Sequence, residues 1–213
     1  GLDILDKSGA MNFRVGRDIA YIGSKPQSAL DPTQPVGVQI VEKLRSVRPE
    51  WSATECKERV LQLLAEVRIP SSHDRYWDYP ANFSGGMMQR AMIVDAICAE
   101  PPLLIADNIT QALDVTIAAQ IVKILHDMCI KHNTATIYLS SSLATLGQFT
   151  GLVSILHKGR LIETQNFKDL IVAPREAYTR EAIASVPRIW QENRDKSPSR
   201  LLSAEPLFSV KNV

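Results

Sequence analysis

The chain has 213 residues, 45% of them apolar, enough for one domain with a sizeable core or one domain with a smaller lobe. Lysine and arginine number 24 against 23 aspartate and glutamate, so no net field recommends nucleic acid or a lipid surface; Arg188 to Arg200, the nearest approach to a basic cluster, is interrupted by Glu192 and Asp195 and reads as a solvated linker. Cys56, Cys98 and Cys129 are far apart and form no CxxC pair, the usage of a reducing compartment, and no run approaches the roughly 18 apolar residues that a membrane span needs.

Asp18 to Ile22 reads as a short strand, and Ser24 to Pro35, with three prolines and little periodicity, as a loop or hinge. Ser52 and Glu55 form the S-x-x-E capping box, and Val60, Leu63, Leu64 and Val67 follow at helical spacing, so a helix is predicted to about Arg68, before Pro70. Phe83-Ser-Gly-Gly then opens a segment, Met88 to Ala99, of helical composition. Leu103 to Ala106 is a compact apolar run stopped by Asp107, the pattern of a buried parallel strand with an acid at its C-terminal edge, where ligands of open α/β sheets bind. Ile117, Ile121, Ile124, Leu125 and Met128 make a helical stripe, and Thr136 to Leu139 is the next strand, so a parallel sheet is expected. Leu152–Leu156 and Leu161–Thr164 flank a hairpin turn containing Gly159, and two short helices follow, separated by Ala173-Pro174. Beyond Arg188 the periodicity fades: 189–205 has linker composition, and 206–213 resumes an alternating, strand-like pattern.

Three clusters carry chemistry. Phe83-Ser84-Gly85-Gly86-Met87-Met88-Gln89-Arg90 opens a helix with two glycines, which let a backbone approach a phosphate while free amides and the helix dipole favour an anion. By itself this is also a glycine-rich turn before an ordinary helix. Leu103-Leu-Ile-Ala-Asp107-Asn108-Ile109-Thr110-Gln111-Ala112-Leu113-Asp114 places a carboxylate at a strand end, which by itself is equally a strand-terminating acid in a turn. Ile137-Tyr-Leu-Ser140-Ser141-Ser142 ends the next strand in hydroxyls.

Together these segments resemble the ATP-binding proteins of ABC importers, of the dipeptide, oligopeptide and nickel branch. The first resembles the signature written LSGGQ, the second the Walker B strand and D-loop written LLIADEPTTALD. The resemblance implies an α/β P-loop NTPase-like cassette: a parallel sheet core with an inserted helical lobe at roughly 36–100, in a partial domain over 1–188. Lys158-Gly159-Arg160, Ala173-Pro174-Arg175, Tyr178-Thr179-Arg180 and Val186-Pro187-Arg188 resemble the segment that follows the cassette in the peptide and nickel branch.

The resemblance implies that Ser84, Gly85, Gly86, Gln89 and Asp114 bind ATP in trans, on a partner cassette, and that Asp107 holds Mg through water wherever the chain's own site binds ATP. The chain departs from the family at Asn108, where a glutamate serves as general base, at Ser141, where a histidine senses the γ-phosphate, and at Ser24, where the Q-loop has glutamine; Gln27 lies three residues off. A lost general base costs on the order of 10²–10⁴ in rate. No G-x-x-x-x-G-K-S/T occurs in these residues, so the N-terminal strand and P-loop part of a cassette is expected to be absent here, the chain being either a piece of a longer protein or a protein that never had the loop.

By this resemblance Ser84, Gly85, Gly86 and Asp114, which are kept, are positions given to a partner, and Ser24, Asn108 and Ser141, which are altered, would serve the chain itself. Two functions follow as alternatives: an energy-coupling transport subunit that completes a partner's site, or a non-hydrolysing structural or regulatory pseudo-cassette. The implied partners are a second ABC cassette, which the strand-like end at 206–213 suggests can follow on the same polypeptide, transmembrane permease subunits and, indirectly, an extracytoplasmic substrate-binding protein, with no nucleic acid. The implied location is cytoplasmic, peripheral on the inner face of the cell membrane.

Overall fold

The computed structural model describes residues 15–111, 113–147 and 151–186, except the side chains of Gln27 and Ala144. The linker expected at 189–205 and the strand-like segment at 206–213 lie outside the described residues.

Three strands, β1 (Ile19–Ile22), β2 (Leu103–Asp107) and β3 (Ala135–Leu139), form a parallel sheet in the order β1-β2-β3, with Ile22 opposite Ala106 and Asp107 opposite Leu139. Their C-terminal ends therefore share one edge. Between β1 and β2 run α1 (Val36–Val47), α2 (Ala53–Glu66), the short turn α3 (Ser72–Arg75) and α4 (Gly85–Ile97), and α5 (Val115–Lys131) crosses from β2 to β3. After a single turn, α6 (Leu143–Leu146), the antiparallel hairpin β4 (Leu152–His157) and β5 (Arg160–Asn166) turns through Lys158 and Gly159, both at positive φ, and leads to α7 (Phe167–Val172) and α8 (Ala177–Ala184).

The core lies between the sheet and the helices, with Ile22 and Leu104 from strands meeting Ile40 and Leu44 of α1, Leu63 and Leu64 of α2, Ile93 and Ile97 of α4, and Ile121 and Leu125 of α5. Helix α4 is buried on nearly every side, as its uniformly apolar sequence requires. Arg48 donates to the carbonyl of Ala99 (2.6 and 3.0 Å), and Lys43 pairs with Asp95, so the last turn of α4 is held to α1. The predicted capping box is present: Ser52 Oγ accepts from the Glu55 amide at 3.2 Å, and the Ser52 amide donates to Glu55 Oε2 at 2.7 Å.

Two boundaries differ from expectation. Helix α4 starts at Gly85 rather than Met88, because Ser84 caps it and neither glycine takes a positive φ. Helix α1 has no counterpart in the sequence reading. Its first amides are satisfied from a distance: Val36 N–H donates to the carbonyl of Asp78 and Gly37 N–H to that of Tyr76, both at 2.9 Å. Gly37 is the only residue that fits there, since a Cβ would stand 2.1 Å from the Tyr76 ring.

Gly37→Ala should therefore destabilise the protein by about 1–3 kcal/mol despite alanine's better helix propensity, as overpacking does. Urea unfolding monitored by circular dichroism checks this; a midpoint at or above that of the parent would show that the ring yields without cost.

A second anchor joins the hairpin to the helices after it. The Glu163 carboxylate, 6% exposed, accepts from the Arg175 amide (2.7 Å), the Glu176 amide (3.2 Å) and Gln165 Nε2 (2.5 Å). The Thr179 hydroxyl, buried beside it although short of strict hydrogen-bond geometry, is the largest influence; with the two amides and Gln165 it holds the carboxyl down to about 2. An unfolded glutamate titrates near 4.3. The stabilisation is thus complete above about pH 4.3 and is lost as pH falls toward 2. Amide exchange in β5 and α8 should accelerate across that window, and Glu163→Gln should flatten the pH dependence.

Candidate functional site

The sheet edge and the helix starts form two neighbouring surfaces. At the edge, Asp107 ends β2 with its carboxylate half-buried, and Tyr21 of β1 donates its hydroxyl to Asp107 Oδ2 at 3.2 Å. Partial desolvation, then the hydrogen bond to Asp107 and its charge, push the Tyr21 phenol up. Tyr21 was missed by sequence reasoning; its one signal is register, which sets it beside Ile105 on the neighbouring strand.

Asn108 follows at φ +49°, a left-handed conformation that asparagine tolerates better than most residues. Its amide donates to the Leu139 carbonyl at 3.0 Å, and its Oδ1 accepts from the Ser141 amide at 3.1 Å. The sheet thus brings two of the altered positions, 108 and 141, into direct contact. Ser24 lies two residues past Ile22, at the same edge by register, but makes no hydrogen bond to either. Gln27 is in the following turn, its side chain outside the described set. Ile109, standing where the family has proline, is 1% exposed and pins the loop to the core.

The second surface joins the first turns of α4 and α5. Ser84 caps α4, its Oγ accepting from the Met87 amide at 3.3 Å, and Asp114 caps α5, its Oδ1 accepting from the Ile117 amide at 2.9 Å. The two starts are side by side because glycine permits it: a Cβ on Gly86 would lie 3.2 Å from Ile117 Cγ2, and one on Gly85 3.8 Å from Leu113 Cδ2. As first-turn groups, the Gly85 and Gly86 amides have no partner within the helix, and Ser84, Gly85 and Asp114 are exposed. Open amides at the positive end of a 13-residue helix suit an anionic oxygen.

Gln89 does not share this surface. It is 1% exposed, its amide nitrogen buried without a partner, and it faces inward from α4. A nucleotide contact by Gln89 beside Ser84 to Gly86 would require its side chain to turn outward from this packing. Arg90, beside it, donates instead to the carbonyl of Arg68 at 2.8 Å, tying α4 to the end of α2.

The three cysteines are free and buried, and burial pushes the Cys98 thiol up to about 12, so they are packing residues. No helix of the described residues is long and apolar enough to cross a membrane.

A parallel sheet whose acid-tipped central strand runs into a loop, beside a glycine-started helix, is the arrangement of an ATP-binding cassette. The solved dimeric cassette MJ0796, in a post-hydrolysis state bound to ADP and Pi, shares the fold, with a TM-score of 0.60 at 20% identity over 71% of this chain and 64% of that one. The ABC transporter family model matches residues 6–111. The dipeptide transport ATP-binding protein DppD of Lactococcus lactis subsp. cremoris is 34% identical over 188 residues, 88% of this chain and 52% of that protein. The oligopeptide transport ATP-binding protein OppD of Bacillus subtilis is 37% identical over 181 residues, 85% of this chain and 50% of that protein. The chain is homologous to the ATP-binding proteins of dipeptide and oligopeptide importers. It spans about half the length of the curated relatives it matches.

Proposed function

We propose that this chain serves in the ATP-binding part of a peptide importer, contributing the Ser84–Gly86 and Asp114 surface to ATP held by a second cassette while its own strand edge does not hydrolyse. The observation that carries the proposal is the contrast between its two surfaces. The helix starts present open amides to an anion, whereas the strand edge offers a neutral amide at Asn108, already bonded to the Ser141 backbone, where a base is needed. An amide orients water but takes no proton at neutral pH.

The residues fit the polyphosphate of ATP at the first surface, and Asp107 fits a water-bound Mg at the second. ATP, when bound, would supply the negative charge that draws the two cassettes together. Ser84 gives a hydroxyl, Gly85 and Gly86 give amides, and Asp114 keeps α5 in register beside them. The partners in this reading are the second cassette, permease subunits that carry the peptide, and a substrate-binding protein outside; the chain then sits peripherally on the cytoplasmic face. MJ0796 is described as dimeric, in keeping with a cassette pair.

Ser84→Ala and Gly85→Ala discriminate, assayed in the assembled transporter. Gly85→Ala is the cleaner variant, since its new methyl meets Leu113 at an ordinary 3.8 Å and spares the fold while covering an amide. Each should lower ATP turnover by about 10²-fold, the scale for losing one preorganised donor, with melting temperatures of the chain little changed for Gly85→Ala. Turnover and transport at the parent rate would instead support the non-hydrolysing scaffold.

A further inference from the structure

We infer that Asn108 is a positioning residue for the donated surface, so that the position where the chain lacks a base supports the partner's site; the inference rests on the reading just given. Asn108 binds the exit of β3 twice, through its amide to the Leu139 carbonyl and through Oδ1 to the Ser141 amide. Its own carbonyl accepts from the Gln111 amide at 3.1 Å, and the Thr110 carbonyl accepts from the Leu113 amide at 3.2 Å. With Ile109 buried at 1% exposure, the loop is held at its start and its middle. It ends on the two residues that set the helix starts against each other: Leu113, which faces Gly85, and Asp114, whose cap orders the turn carrying Ile117 against Gly86.

Asparagine tolerates the left-handed backbone at 108, and its short side chain sets Oδ1 at the Ser141 amide. A glutamate carries its acceptor one bond farther, past the Ser141 amide. Asn108→Glu, which restores the carboxylate of the family, should therefore lower the turnover of the assembled transporter several-fold rather than raise it.

Asn108→Gly keeps the backbone conformation and deletes the acceptor, and Asn108→Asp keeps both. Residue-by-residue amide exchange by NMR on the whole protein reads the linkage. In Asn108→Gly the Ser141 amide should exchange about tenfold faster, the scale of one lost hydrogen bond, and the Leu113, Ile117 and Met87 amides several-fold faster. Asn108→Asp should leave all four within about twofold of the parent. Acceleration confined to Ser140–Ser142 overturns the inference, because a local bond alone would do that. If Ser84→Ala and Gly85→Ala leave turnover unchanged, the donated-surface reading falls, while the exchange pattern still decides whether Asn108 positions the helix starts.

Discussion

Helix α4 is the member on which the remaining elements depend. It is apolar around its girth and packs against β1, α1, α2 and α5, so any shift along its axis would disturb most of the core. Both ends are fixed. At the C-terminal end Arg48 and Lys43 of α1 hold Ala99 and Asp95, and at the N-terminal end the Ser84 cap and the glycine contacts with α5 set its height. The first turn is exposed, yet it belongs to the most constrained element of the fold. Preorganised amides bind an anion without the cost of ordering them at the moment of binding, which is the physical reason to place them there.

The two surfaces differ in how their polar groups are used. At the helix starts each capping side chain satisfies one amide and leaves glycine amides open toward solvent. At the strand edge Asp107 is engaged by Tyr21 and Asn108 by Ser141 and Leu139, so donors and acceptors are turned on one another. A surface with open groups has affinity to offer a partner; one with closed groups must break bonds before it can. Ser84, Gly85 and Asp114 fall in the first class and Asn108 and Ser141 in the second, while Gln89 is buried and Ser24 bonds to neither Asn108 nor Ser141.

Much of this was legible because it is local. The capping box at Ser52 and Glu55, the apolar run of β2, the stripe along α5 and the glycine turn of the hairpin each depend on neighbours in sequence, and each forms where expected. Helix α1 was not legible, although Val36, Ile40 and Leu44 recur at i, i+4 and i+8, because Pro35 offers no side-chain cap and the amides of Val36 and Gly37 are satisfied by carbonyls some forty residues away. The burial of Gln89 was hidden for a related reason: a motif names the residues of a loop, while the packing of α4 decides which of them face out. The role of Gly86 was half legible. Its glycine is demanded by the side chain of Ile117 on another helix as much as by any phosphate, and nothing in the local sequence reports that contact.

The charge at the strand edge ties these points together. A glutamate at 108 would follow Asp107 directly, and two carboxylates on adjacent residues raise each other's pKa unless a cation lies between them. With asparagine there, Asp107 is the one carboxylate among Ser24, Asp107, Asn108 and Ser141, and the Tyr21 hydroxyl already donates to it. The edge therefore offers one carboxylate to a cation rather than two.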